Sequence, residues 1–375
     1  MKRSLRKKWV KRAGIVVSAA MLAVVILWLL LPAPIDPESW DPPDAPEEAG
    51  VFGENTLLRD AELLADGQLF HPEDIAFDAE GRLYTGTQDG KIHRITFNGQ
   101  GGVQNVEVFA ETGGFPLGLH FDRDGRLIAA VKSVGLMAID RQGAAALLTD
   151  RAGDVPIRYA DELDIASDGS IYFSDGSTKF DWGWPFDTLE SKPYGRLLRY
   201  DPASGETEVL LDGLYFANGV LLSPEEDSLL ITESPRYRIT RYWLKGDKAG
   251  TTEPFAENLP IVPDNLSVDQ EGDIWVGGSK RSGLLDTLHR SAFLKRQMSK
   301  LPFGWLRGMP EWESNRYGYV MRLSPDGEIK MTYQDPGGEN VHSVSSVERR
   351  GDELYIGTLY GQAIARYRLD EGSMR

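Results

Sequence analysis

The sequence predicts an all-β fold: a six-bladed β-propeller carrying an N-terminal transmembrane helix and a short helical insertion. Two observations predict it. A unit of strand, acidic turn and strand returns six times, and successive copies begin roughly 44 to 80 residues apart. Each copy alternates apolar and polar residues between turn signals, as hairpins do. The chain has no cysteine, so disulfides, thiolate metal sites and a cysteine nucleophile are all excluded. A solenoid would repeat at a shorter, more regular period, whereas four-stranded blades need this length.

The elements follow in chain order. Residues 1–13 hold seven Lys or Arg and no acid, and read as a basic cytoplasmic tail. The other 34 bases stand against 57 acids, which leaves the remainder at −23. A surface that negative repels nucleic acid and suits cations or neutral small molecules. Residues 14–32, "GIVVSAAMLAVVILWLLLP", contain no charge and are long enough to cross a bilayer as a helix. A cleaved signal peptide is the rival reading, but its apolar region is usually shorter and ends in small residues. Here Leu29, Leu30 and Leu31 run straight into Pro32. With the basic flank in the cytoplasm, everything after Pro32 is expected outside it. Residues 33–54 are rich in Pro and acids and read as an extended spacer.

The propeller is expected over 55–371. Its units are "FDAEGRLYTGTQDGKIHRI" (77–95), "FDRDGRLIAAVKSVGLMAID" (121–140), "IASDGSIYFSD" (165–175), "LSPEEDSLLITESPRYRITRYWL" (222–244), "VDQEGDIWVGGSK" (268–280) and "VERRGDELYIGTLYGQAIARYRL" (347–369). A strand near 55–65 is expected to complete the last blade and so remove the exposed edges of an open ring. Two insertions interrupt the pattern. Residues 176–194 bring Trp182, Trp184 and Phe186 to one rim, to line an apolar pocket or to pack over a blade. Residues 281–316 contain Leu284, Leu285, Leu288, Ala292 and Leu301 among Arg290, Lys295, Arg296 and Lys300. That basic amphipathic stretch, 284–301, is read as a lid on the membrane or as core decoration.

Counting back eight positions from each turn residue exposes a second regularity. Gly81 leads to Glu73, Gly169 to Asp161, Glu226 to Asn218 and Gly272 to Asp264, while Gly125 leads to Leu117 and Gly351 to Ser343. In a propeller, equal phase means equal height around one channel, so three carboxylates and an amide would converge there. Such a group repels itself unless a cation sits within it. Oxygen-only ligation favours Ca2+ ahead of Mg2+, and Asn265 adds another oxygen. Singly, each residue has an ordinary alternative. "ANGV" (217–220) fits a tight hairpin turn, "NLS" (265–267) a glycosylation acceptor, and the lone acids solvated loops.

These stretches also carry a family resemblance, above all "GRLLRYDPASGETEVLLDGLYFANGVLLSPEEDSLLITE" and "FAENLPIVPDNLSVDQEGDIWVGG". The chain resembles the superfamily of calcium-dependent six-bladed propellers that includes gluconolactonase (senescence marker protein), paraoxonase and strictosidine synthase, and within it the adipocyte plasma membrane-associated protein branch. The resemblance covers most of 60–370 and extends to the N-terminal anchor. It implies a central calcium held by Glu73, Asn218 and Asp264, with Asn265 a further ligand and Asp161 standing where relatives have asparagine. It also implies limits. The catalytic glutamate of strictosidine synthases aligns with Ser345, which cannot do acid–base work, and the paraoxonase histidine aligns with Leu117. His120, three residues on, reads as a strand histidine rather than a substitute, and His342 is a candidate for the channel mouth.

The expected activity is calcium-dependent hydrolysis of a lactone or ester, with Asp264 and Asp161 as the candidate catalytic bases. No nucleophile-elbow pattern supports a covalent acyl-enzyme. The alternative is a ligand-binding or scaffold propeller with a structural cation, since this fold hosts many functions.

Overall fold

The computed structural model describes residues 2–181, 184–307 and 316–370, so Trp182 lies outside the described residues. Six four-stranded antiparallel sheets follow one another along the chain. Their innermost strands are Pro72–Phe77, Phe115–Phe121, Ala160–Ile165, Ala217–Leu222, Ile261–Val268 and Val344–Arg350. The strand expected to close the ring is Glu62–Leu64, which pairs with Ile364–Arg368 as the outer strand of blade six. Stacked blades bury both faces of their central strands, and every residue of Leu83–Thr87, Ile171–Asp175 and Ser228–Glu233 is buried. Accordingly, six apolar clusters lie one between each pair of neighbouring blades. Trp275, Tyr333 and Phe173 are wholly buried in them.

The acidic turns close the far ends of the inner hairpins. Asp78 Oδ1 accepts from the main-chain N–H of Glu80 and Arg82 at 3.0 and 2.9 Å, and Asp269 Oδ1 does the same for Glu271 and Asp273 at 3.0 and 2.9 Å. The side chain thus replaces backbone partners that the turn lacks. Gly81 and Gly272 follow in left-handed conformations, φ 80° and 84°, which glycine adopts without steric cost.

Blade six departs from this turn. Its inner hairpin pairs Arg350 with Glu353, leaving a two-residue loop, whereas blade one pairs Phe77 with Leu83. Counting eight back from Gly351 therefore overshoots by two. Ser345, not Ser343, occupies the shared height in blade six, because the register break there falls between Val344 and Val347.

The N-terminal helix runs unbroken from Lys2 to Leu30, so the basic flank and the apolar stretch form one rod. Its Lys11–Leu30 span is long and apolar enough to cross a membrane, and none of it is buried. The Pro-rich segment after it is extended, as its composition implies, but it does not hang free. Glu38 N–H donates to Glu190 O at 2.9 Å and Trp40 N–H to His289 O at 2.8 Å. Asp36 pairs with Lys192 and Arg296, each at 2.9 Å, and Asp41 with Arg290 at 2.8 Å. The spacer is a strap fastened across both insertions. The insertions themselves form short helices, Trp184–Glu190 in the first and Gly283–His289, Ala292–Met298 and Phe303–Arg307 in the second. Ile35, Phe186, Leu189, Leu285 and Leu306 make a separate small core under the strap.

Candidate functional site

Every innermost strand loses register at the same height. The breaks fall between Pro72 and Ile75, Pro116 and Gly118, Ala160 and Leu163, Ala217 and Val220, Pro263 and Leu266, and Val344 and Val347. A bulge leaves its residues unpaired in the ladder and re-aims their side chains. The residues so released include Glu73, Leu117, Asp161, Asn218, Asp264 with Asn265, and Ser345. "ANGV" is therefore the start of a strand and not a hairpin turn.

Glu73, Leu117, Asp161, Asn218 and Asp264 line one pocket of roughly 1170 Å3, its open mouth included. Glu73, Asp161, Asn218, Asp264 and Asn265 are all buried. Buried polar atoms are normally paired. Here Glu73 Oε2, Asp161 Oδ2, Asn218 Oδ1 and both amide atoms of Asn265 have no hydrogen-bond partner. Burial raises the Glu73 carboxyl well above its ordinary range, and Asp264, Asp74 and Asp161 push it the same way. Burial and Asp264 raise Asp161, against the opposing charge of Lys132. Asp264 is pushed up to about 7 by burial, although the Asn218 side chain, bonding to it, pulls it down. Proximity of like charges is thus written into the titration of all three acids.

This set is oxygen-rich, hard and partly unsatisfied, which fits a divalent cation such as calcium by its donor chemistry. The fit has a limit. Among the described residues no three His, Asp or Glu side chains draw together as a closed metal centre.

The neighbouring carboxylates face deeper along the channel. Asp74 Oδ2 accepts from Leu119 N–H at 2.8 Å, tying blade one to blade two, and Asp164 Oδ2 accepts from Leu222 N–H at 2.8 Å, tying three to four. Thr232 Oγ1 donates to Asp264 O at 2.8 Å. Ser345 and Ser346 both donate to the main-chain oxygen of Glu73, at 2.6 and 2.7 Å. The position that carries the strictosidine synthase glutamate in the resemblance is here a buried clamp on a channel residue. Glycine keeps this seam closed: a Cβ on Gly357 would sit 2.1 Å from Glu73 O.

Two histidines are not at the site. His120 lies near Asp164, Nδ1 to Oδ1 3.4 Å, with its side chain 47% exposed. His342 lines a separate groove with Leu63, Asn340 and Thr358 and does not reach the channel mouth.

The pocket wall is mostly apolar, with Gln88, Ser234, Ser279, Lys280 and Ser282 also in the lining. Phe115, Tyr159, Phe216 and Val262 each stand two residues before the released position of their blade and line the same pocket. Tyr159 and Phe216 meet edge-on at 5.0 Å between centroids. Trp184 and Leu285 reach the lining from the two insertions, and Leu359 and Tyr360 from blade six. Phe186 packs under the strap instead. The aromatic ring was missed in the sequence, yet the same phase counting shifted by two would have found Phe115, Tyr159 and Phe216.

Comparison with known proteins agrees with this architecture. A strictosidine synthase family model matches residues 161–247, and a strictosidine synthase-like N-terminal model matches 50–95. Adipocyte plasma membrane-associated protein of Rattus norvegicus is 33% identical over 94% of this chain and 98% of its own. The protein strictosidine synthase-like 6 of Arabidopsis thaliana is 35% identical over 83% of this chain and 82% of its own. Among solved structures, a gluconolactonase of Xanthomonas campestris superposes with a TM-score of 0.60 at 20% identity, covering 91% of this chain and 99% of that one. A calcium-binding regucalcin of Agrobacterium tumefaciens superposes with a TM-score of 0.55 at 15% identity, covering 80% and 90%. Those two likenesses concern the fold. The identity along nearly the whole length carries the family: the chain belongs to the strictosidine synthase-like proteins, within the superfamily of six-bladed propellers.

Proposed function

We propose that the protein is a membrane-anchored, calcium-dependent hydrolase of a lactone or ester, with its propeller on the extracytoplasmic side. One observation carries the reading: unpartnered, buried oxygens of Glu73, Asp161 and Asn218 form the floor of a pocket whose wall is aromatic. The gluconolactonase and regucalcin likenesses support it as an analogy of fold.

Glu73, Asp161, Asn218, Asp264 and Asn265 would hold the cation. When bound, calcium supplies a Lewis acid that polarises the substrate carbonyl and steadies the oxyanion. The remaining work belongs to the chain. Phe115, Tyr159 and Phe216 seat the apolar body of the substrate and exclude bulk water. Asp161, whose Oδ2 has no bond to give up, holds the attacking water and takes its proton; Asp264 is the second candidate. The proton then passes to the departing alkoxide, which leaves as an alcohol. Ser345 offers no carboxylate, so the glutamate that the resemblance assigns to the amine–aldehyde condensation has no counterpart at its position.

A second reading is a binding module with a structural cation, since a propeller hosts many functions. The deciding experiment compares lactone and aryl-ester turnover of the wild type and Asp264→Ala, with and without chelator. The hydrolase reading expects turnover that chelator abolishes and the variant loses. Calcium-independent turnover, or calcium binding with no turnover across a broad panel, would sink it.

A further inference from the structure

We infer that the face on which the pocket opens rests on the bilayer, with Phe293, Leu294 and Trp305 seated in its interfacial layer. This stands on the placement of the membrane helix and the lid, and not on the hydrolase reading. The topology sets the geometry. Each inner strand starts at the pocket end, so the connections into it, and those between the second and third strands of each blade, all lie on the pocket face. Both insertions are connections of the second kind.

On that face the helix Ala292–Met298 turns its lysine inward and two large apolar residues out, with Arg296 exposed beside them. Lys295 is fully buried, donating to Ser191 Oγ at 2.7 Å and to Glu38 O, while its neighbours Phe293 and Leu294 are 59% and 42% exposed. Trp305, on the next helix, is 70% exposed, and Leu284 on the preceding one 47%. A water-facing helix places these types the other way round. The segment 284–301 thus does both things its sequence allowed. Leu285 and Leu288 are buried, while Leu284, Phe293, Leu294 and Trp305 form an exposed apolar rim edged by Arg290 and Arg296.

Two independent links place that rim at the membrane. The strap is fixed to the lid from Ile35 and Asp36 onward, and the helix ends at Leu30. Five intervening steps of extended chain span at most about 18 Å, so the lid cannot leave the neighbourhood of the bilayer surface. The lid also touches the helix end directly: Lys300 Nζ donates to Trp28 O at 2.9 Å and Leu29 O at 3.3 Å. An ammonium there suits the negative end of a helix dipole. Exposed tryptophan at that level matches the aromatic belt of membrane interfaces. The bilayer holding the protein's own helix is therefore the occupant.

The absence of cysteine permits a clean test. Phe293→Cys, Trp305→Cys and Asp247→Cys, the last in a turn on the opposite face, are each labelled with a fluorophore in the full chain. Each is then reconstituted into nanodiscs of phosphatidylcholine and phosphatidylglycerol. Doxyl-labelled lipid is expected to quench the labels at 293 and 305 at least threefold more than that at 247, and aqueous iodide to show the reverse order. Equal iodide access at all three positions without lipid quenching overturns the inference. Shielding from iodide without lipid quenching overturns it too, by showing that protein covers the rim. Two independent rim positions keep the test decisive if one variant misfolds.

Discussion

At the turn ends of the inner strands, Asp78 and Asp269 are satisfied; at the channel ends, Glu73 and Asp161 each keep a carboxylate oxygen without a partner. Burial alone would raise Asp78 and Asp269. Bonds from Arg82 and Tyr84 on one, and from Trp275, Arg349 and Asp273 on the other, outweigh it and hold both below the ordinary carboxylate range. The channel acids are buried more completely and receive fewer such bonds, and they rise. One residue type, repeated at a fixed spacing within one unit, therefore builds a turn at one end and an unsatisfied site at the other. The difference lies in partners and not in residue type. Turn carboxylates find N–H and guanidinium groups within a few residues or on the next blade, whereas channel carboxylates face one another across the axis.

The comparison breaks most readily at the channel. Glu73→Gln removes one charge from the donor set, and calcium affinity should fall by roughly two orders of magnitude with little loss of fold. Calorimetric titration measures this, and unchanged affinity would remove Glu73 from the site. The converse substitution is Asp269→Ala, which strips Trp275 and the buried Arg349 of a partner at 2.8 and 2.6 Å. It should cost about 2–3 kcal/mol of stability in urea unfolding while calcium affinity holds.

Proton linkage sharpens the contrast further. Glu73, Asp161 and Asp264 have folded pKa values above their unfolded ones. The stability they allow is complete below about pH 4 and is lost as pH rises through the folded values, about 7 for Asp264. In chelator, Tm should therefore drop by several degrees between pH 5 and pH 8, about 2–4 °C per kcal/mol for a domain of this size. Saturating calcium should abolish the drop. Asp269, being depressed, acts in the opposite sense: its contribution is full above about pH 4 and is lost only as pH falls through its folded value. A Tm profile that ignores calcium across this window would argue against cation binding by the channel acids. The smallest effect is expected from Ser345→Ala. It removes one of two hydroxyl bonds to Glu73 O and should cost about 1 kcal/mol, because Ser346 retains the other.

The ring of site residues was legible because a propeller converts sequence phase into height. Glu73, Asp161, Asn218 and Asp264 share an offset from their turns, and all four line one pocket. Blade six broke the count for a local reason, its two-residue hairpin, so Ser343 was read where Ser345 belongs. The aromatic wall obeys the same phase two residues earlier but escaped notice, since Phe115, Tyr159 and Phe216 pass as ordinary strand residues. The strap was legible only as an extended segment. Its partners lie far along the chain, Lys192 at 156 residues from Asp36 and Arg296 at 260, where no local pattern points.

By itself the sequence determined the repeat, the blade number, the membrane-length helix and the height at which oxygens gather. These depend on periodicity and turn chemistry, which act over a few residues. Only the tertiary structure decided which oxygens are left without partners, that Ser345 clamps Glu73, and that Lys295 turns inward while Phe293 and Leu294 turn out. Those outcomes depend on which distant surfaces meet, because desolvation and hydrogen bonding respond to neighbours in space.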